Sequence, residues 1–255
     1  KTKFICPETN YWNDKSRLLK NIICIYLLIK NFWSTKVVIV SFQSNLTSIL
    51  LSKIFNFRVL IRLNTSVKKY IDNRLKKIIF KFLYSLSDVI IVNSKSFQNE
   101  LNKINLKSYL IYNLNIYGKK RKSLNFFKNF KGLKILNIGR LVEQKDQLTL
   151  IKSLEILKKK KINFRCCIIG RGLLEKFLKT EIVKLNLNKN IKLVGFKNKA
   201  EHYLSESDIF VLSSKFEGLP NVLIESQKYG IPIISSNCPT GPNEILMNGK
   251  LGELF

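Results

Sequence analysis

Apolar positions along the 255-residue chain follow two alternating rhythms. Short continuous runs rich in Val, Ile and Leu occupy Val37–Val40, Arg58–Ile61, Asp88–Val92 and Tyr109–Tyr112. A second set follows at Leu133–Ile138, Phe164–Ile169, Ile191–Val194, Ile209–Leu212 and Ile231–Ser235. Between them lie stretches of helical period: Leu46–Ile54, Ile71–Ser85, Ser96–Lys103, Gln147–Lys159, Leu173–Leu185, Lys199–Ser205 and Pro220–Tyr229. Strands that are apolar throughout and spaced by amphipathic helices predict parallel sheets covered on both faces. The fold class is therefore α/β. The apolar stretch Ile22–Ile29 falls short of the roughly 20 residues a spanning helix needs and reads as a helix end before a buried strand, Lys36–Phe42. Tyr117–Lys131, basic and with neither period, reads as a linker between two α/β units, 1–117 and 132–255, with the joint at 118–131. No short-period repeat is visible. The chain starts without Met or an apolar leader core and finishes in a strand, GELF, so both ends are expected to be cut from a longer protein.

Composition narrows the function. Hydrophobic residues at 45% suffice for a core, which excludes wholesale disorder. Cys6, Cys24, Cys166, Cys167 and Cys238 form no CxxC pair, so neither a zinc site nor a disulfide framework is indicated, and the pattern suits a reducing cytosol. The lone histidine, His202, sits in an amphipathic stretch and reads as a helix-surface residue. The formal net charge of +28 is uneven, +19 over residues 1–130 and +9 over 131–255. A basic face suits nucleic acid or an anionic membrane, while AT-rich codons alone also raise Lys, Asn and Ile. No RNP, zinc or helix-turn-helix pattern supports nucleic acid.

In open parallel sheets ligands bind beyond the carboxyl ends of the strands, so the loops there carry the candidates. After Leu133–Ile138, Gly139 permits a tight turn, and Arg140 and Lys145 place two cations near a helix start. That is a phosphate site or a pair of solvated loop charges. After Phe164–Ile169, Gly170 and Gly172 form a turn with amides available to an anion, but Glu175 stands where GxGxxG needs its last glycine, which argues against a dehydrogenase. After Ile209–Leu212, Glu217 lies in a loop and Glu225 in the second turn of a helix opened by Pro220. Two such carboxylates suit sugar or ribose hydroxyls, and the free amides of Gly218, Leu219 and Asn221 suit an anion. A cap and a surface carboxylate are the alternative. The loop NCPTGPNEIL, rigid by its two prolines and Gly241, leads into a helix at Glu244.

GRLVEQK, GRG, FEGLPNVLIESQKYGIP and TGPNEIL, in this order at successive strand ends, resemble glycosyltransferase family 4, retaining nucleotide-sugar enzymes of the GT-B fold. The resemblance covers most of Leu133–Phe255 and implies two Rossmann-like domains facing across a cleft, the second holding the donor. It implies that Arg140 and Lys145 hold the donor diphosphate, that Glu217 faces the transferred sugar and Glu225 the ribose, and that Gly218, Leu219, Pro220 and Asn221 touch sugar and distal phosphate. Phe196 falls where the family holds the base, and Gly139, Gly170 and Gly172 belong to the same donor site. The implied reaction transfers a hexose or N-acetylhexosamine, from UDP, to a lipid-linked or saccharide acceptor without a metal cofactor. The implied setting is the cytoplasmic face of the membrane, in polysaccharide or lipid-linked glycan assembly. In the first half, VVIVSFQSNLTSILLSK, RLNTS, SDVIIVNSKSFQNEL and LIYNLN follow the acceptor-domain pattern more weakly, with Arg62, Asn64, Asn93 and Ser94 at strand ends.

Overall fold

The computed structural model describes residues 16–32, 37–42, 44–64, 71, 73–113, 126–127, 129–198 and 200–255. It divides into two compact units, Lys1–Tyr112 and Asn113–Phe255.

Unit 1 is a four-stranded parallel sheet in the order β1 (Val38–Ser41), β2 (Arg58–Leu63), β3 (Val89–Val92), β4 (Tyr109–Leu110). Its helices are α1 (Arg17–Phe32), α2 (Asn45–Ile54), α3 (Arg74–Ser85) and α4 (Lys95–Asn102). The core joins Ile49 of α2 to Val59, Ile61, Ile90 and Val92 of the strands and to Phe97 and Leu101 of α4. Helix α3 begins at Arg74 rather than Ile71, because Asn73 adopts an extended conformation and its Oδ1 accepts from the Lys76 amide at 2.8 Å. Ser94 caps α4 in the same manner.

Unit 2 is a six-stranded parallel sheet of β5 (Leu133–Ile138), β6 (Phe164–Ile169), β7 (Ile191–Leu193), β8 (Ile209–Leu212), β9 (Ile233–Ser235) and β10 (Glu253–Leu254), in the order β10-β9-β8-β5-β6-β7. Its helices are α5 (Gln147–Lys159), α6 (Glu175–Lys184), α7 (Glu201–Leu204), α8 (Asn221–Lys228) and α9 (Pro242–Ile245). Successive residues of one strand enter opposite layers, as period 2 requires. Ile135, Cys166 and Ile168 pack with Leu150, Ile151, Leu154 and Leu178 on one face, and Leu136, Cys167 and Ile169 pack with Phe210, Leu223 and Leu246 on the other. Both faces are covered, as the apolar runs predict. Strand β9 starts at Ile233, not Ile231, because Pro232 has no N–H to give the ladder, although its carbonyl accepts from Phe210 at 2.9 Å. Pro220, extended at φ −71° and ψ 97°, is the cap of α8 rather than its first residue.

Most of the stretch read as a linker lies outside the described residues. At its end Phe127 is buried in the core of unit 2, edge-on to Phe126. His202 is half-buried on α7 rather than fully on the surface. Among the described residues no helix is long and apolar enough to cross a membrane.

Candidate active site

The chain runs from β5 to β6 and β7 on one side, then returns to β8 and β9 on the other. The carboxyl ends of β5 and β8 therefore flank the switch point, where the two strands' loops diverge. Their ladder stops at Leu136 and Phe210. One residue later the buried Asn137 spans the widening gap, its Nδ2 donating to the Val211 carbonyl at 2.8 Å.

Gly139 follows directly on β5, and its missing side chain makes room for Lys145. A Cβ there would stand 3.3 Å from Lys145 Cδ and 3.4 Å from its Cγ, tighter than ordinary contact. The lysine comes from a 3₁₀ turn, Glu143–Lys145, and reaches back over the strand end. Its Nζ donates to Glu217 Oε1, and the two side chains are only 15% and 6% exposed. Ser214 Oγ donates to the same carboxylate oxygen at 2.6 Å, and Thr240 Oγ1 donates to the Glu217 carbonyl. The carboxylate is thus compensated by a cation and a hydroxyl, as burial of a charge demands.

Around this pair the loops are tied to one another. Ser213 Oγ donates to the Lys145 carbonyl at 3.1 Å, and the Lys215 amide donates to the Gln144 carbonyl at 2.9 Å. Gln144 Nε2 donates to the Phe216 carbonyl at 3.0 Å, and Lys215 Nζ pairs with Glu143 at 3.1 Å. Ser236 joins the third loop by donating to the Ser214 carbonyl at 2.6 Å. Gly241 completes the packing: at φ 80°, a Cβ would lie 2.1 Å from the Gly218 carbonyl oxygen and 2.6 Å from Pro220 Cδ. Cys238, in the same loop, is buried, and burial is the main reason its thiol is raised above the ordinary value.

Above Glu217, Gly218, Leu219 and Pro220 are buried and lead into α8. Among the described residues no acceptor meets the amides of Gly218, Leu219 and Asn221, so the head of α8 keeps its donors. Asn221 is exposed, and its Oδ1 accepts from Asn113 Nδ2 at 2.5 Å. Glu225 is half-buried in the second turn of α8. Arg140 is exposed, its guanidinium 3.5 Å from Gln144 Oε1, and its carbonyl is held by Gln147 Nε2 at 3.0 Å.

The GRG turn differs from its sequence reading. The Gly170 amide is not available to an anion, since it donates to the Gly195 carbonyl at 3.0 Å. Both glycines serve close backbone approach: a Cβ on Gly170 would lie 1.9 Å from the Gly139 carbonyl oxygen, and one on Gly172 2.2 Å from that of Leu141. Phe196, 59% exposed, belongs to the loop after β7, with β6 between that strand and β5. The structure therefore brings together Gly139, Lys145, Glu217 and Gly218, with Pro220 against Gly241, and leaves Arg140 and Phe196 at the rim. Ser214, Thr240, Gln144 and Asn137 were not among the sequence candidates. Only the hydroxyls of the Ser213–Ser214 pair, directly after an apolar strand, offered a signal. Among the described residues no cluster of three or more His, Cys, Asp or Glu is placed to hold a metal ion.

Known proteins resemble this chain in sequence and in fold. Residues 119–255 match the family model described as Glycosyl transferases group 1. An uncharacterized glycosyltransferase of Methanocaldococcus jannaschii, MJ1059, is 33% identical, the match spanning 92% of this chain and 65% of that protein. The N-acetylgalactosamine-N,N'-diacetylbacillosaminyl-diphospho-undecaprenol 4-alpha-N-acetylgalactosaminyltransferase of Campylobacter jejuni is 29% identical over 72% of this chain and 52% of its own. The chain thus spans between half and two thirds of these relatives. In structure, Anabaena Alr3699/HepE in complex with UDP-glucose superposes with a TM-score of 0.78 over 91% of this chain and 67% of that one, at 18% identity. The fold of two Rossmann-like parallel-sheet units is GT-B. The loops that converge on Lys145 and Glu217 all fall inside the matched region, and the chain belongs to the Glycosyl transferases group 1 family.

Proposed function

We propose that this protein is a retaining, family 4 type transferase that moves a hexose or N-acetylhexosamine from a UDP-sugar to a lipid-linked or saccharide acceptor, without a metal. The observation that carries the reading is the buried Lys145–Glu217 pair beneath the unpaired amides at the head of α8. A carboxylate beside a diphosphate would repel it, and Lys145 offsets that charge while remaining close to the phosphates. Lys145 and Arg140 stabilise the negative charge that develops as the nucleoside diphosphate departs. Glu217 accepts hydrogen bonds from sugar hydroxyls, Glu225 accepts them from the ribose, and the amides of Gly218 and Leu219 donate to sugar and distal phosphate. Phe196 stacks beside the base, Gly139 lets the end of β5 approach the donor, and Gly170 and Gly172 hold the neighbouring loops close behind it.

The names of similar proteins support the donor and acceptor classes: UDP-glucose is bound in the Anabaena structure, and a diphospho-undecaprenol acceptor is named for the Campylobacter enzyme. An acceptor of that kind would be met at the cytoplasmic face of a membrane, and the more basic first half suits anionic lipid there. The alternative, a basic module for nucleic acid, rests on net charge alone.

The test is release of nucleoside diphosphate from each common nucleotide sugar by the intact protein, alongside its melting temperature with each nucleoside diphosphate. UDP is expected to raise the melting temperature, and Glu225→Ala to weaken UDP binding roughly tenfold by removing the ribose hydrogen bonds. Absence of a shift with every nucleoside diphosphate would overturn the reading.

A further inference from the structure

We propose that α3 is a membrane-surface helix whose outward apolar stripe, flanked by cations, seats on an anionic phospholipid bilayer. This names the surface for the membrane placement proposed above and takes its biological setting from that reading.

The inward face of α3 is already committed to the core, where Phe80 and Tyr84 are buried with their rings stacked 4.0 Å apart. The opposite face carries Leu75, Ile78, Ile79 and Phe82, at 67%, 57%, 48% and 63% exposure. Their i, i+3, i+4, i+7 spacing gathers them into one stripe along the helix. A soluble surface carries single exposed apolar residues freely, but a contiguous stripe of large ones marks an interaction site.

Charge selects the partner. With about 100° between successive residues, Arg74 and Lys81 run along one flank of the stripe and Lys76 along the other, while Lys77 falls further round, beside Tyr84. The helix, RLKKIIFKFLYS, contains no acidic residue. This is the layout of a helix lying in a bilayer interface, apolar side chains entering the acyl boundary while lysine stems run beside them to the headgroup phosphates. A second copy of α3 would bring like charges together across the contact. A nucleic acid backbone would meet the cations and leave the apolar stripe uncovered. Helix α2, which packs beside α3, also exposes Leu46, Leu50 and Ile54 at i, i+4 and i+8, with Lys53 among them.

The experiment is co-sedimentation of the intact protein with phosphatidylglycerol–phosphatidylcholine vesicles and with phosphatidylcholine alone, across salt concentrations. Two double variants accompany it, Ile78→Ser with Phe82→Ser, and Lys76→Gln with Lys81→Gln. The wild type is expected to prefer the anionic vesicles. The apolar variant should bind more than about tenfold more weakly. The charge variant should lose about fivefold per cation and respond less to salt. Unchanged melting temperatures and an unchanged UDP shift in both variants place these losses at the surface. Equal binding to both vesicle types, or wild-type binding by both variants, overturns the proposal. So does a wild-type dimer in sedimentation velocity that the apolar variant dissolves, which would assign the stripe to a second copy. Vesicle binding that depends on the stripe, in a protein with no nucleotide-dependent shift, upholds this proposal and overturns the transfer reading instead.

Discussion

In unit 2, strand β6 leaves only Arg165 exposed, whereas β1 of unit 1 exposes Val38 and Val40. The same contrast holds for charge. Unit 2 matches its cations with carboxylates such as Glu143, Glu155, Glu175, Glu181 and Glu217. In unit 1 the acids among the described residues are Asp88 and Glu100, and Asp88 serves the backbone, its Oδ2 accepting from the Val59 amide at 2.7 Å. Unit 2 closes on itself and concentrates its buried polar groups where three loops meet. Unit 1 has more apolar surface than its core absorbs and more cations than it can pair. One half gathers its buried charge where loops converge, and the other carries surplus apolar and cationic surface.

The comparison breaks most readily at Lys145. Lys145→Ala leaves the Glu217 carboxylate buried with Ser214 alone, and losing one member of a buried pair costs roughly 3–5 kcal/mol. Turnover, measured by nucleoside diphosphate release, should fall about a hundred- to a thousandfold. If the variant melts with the wild type, the polar lacing of unit 2 is decoration. Gly172→Ala comes next: its Cβ would stand 2.2 Å from the Leu141 carbonyl oxygen, an overpacking worth about 1–3 kcal/mol. Gly230→Ala, at φ 65° with nothing within 4 Å, should cost only the left-handed backbone, about 1 kcal/mol. Hydrogen exchange should confine both losses to unit 2.

A pH titration sharpens the contrast with a smaller effect. Burial pushes the Cys167 thiol from its ordinary 9.0 up to about 12, with Cys166 raised in the same way. Between those values the unfolded chain has lost a proton that the folded chain keeps, so stability falls as pH rises through this window. By pH 10 the loss from Cys167 is roughly 1 kcal/mol. Exchange rates in unit 2, which holds both buried thiols, should rise with this dependence. The smallest effect belongs to Ile78→Ser, which without vesicles should change the stability of unit 1 by no more than about 0.5 kcal/mol.

The elements were legible wherever hydrophobic period decides them. Leu133–Ile138, Phe164–Ile169, Ile209–Leu212 and Gln147–Lys159 run as their sequence predicts. Boundaries moved where a single hydrogen-bonding group overrides the pattern: the Oδ1 of the Asn73 cap, and the missing N–H of Pro232. At the site, Lys145 and Glu217 were legible separately as loop charges of the expected type. Their pairing was not, since it joins residues 72 positions apart through a turn that only three-dimensional packing fixes. The glycines of GRG were visible, but the composition of a turn does not distinguish an amide offered to a ligand from a backbone approached by another loop. The apolar stripe of α3 was concealed by its own period, because Leu75 and Phe82 count toward amphipathicity as readily as Phe80 and Tyr84 do.

The strand order carries a consequence for how the protein is made. Strand β5 pairs with β6 soon after both leave the ribosome, but its other neighbour, β8, follows only after α5, β6, α6, β7 and α7. Until then the central strand of the future sheet presents an open, apolar edge, the kind of surface that recruits other chains. Completing it depends on long-range pairing, which is slow. The nascent chain is therefore most vulnerable just before the segment bearing Glu217 emerges; the arrival of β8 should close the edge and bring Glu217 to Lys145, and the loop after β9 completes the site.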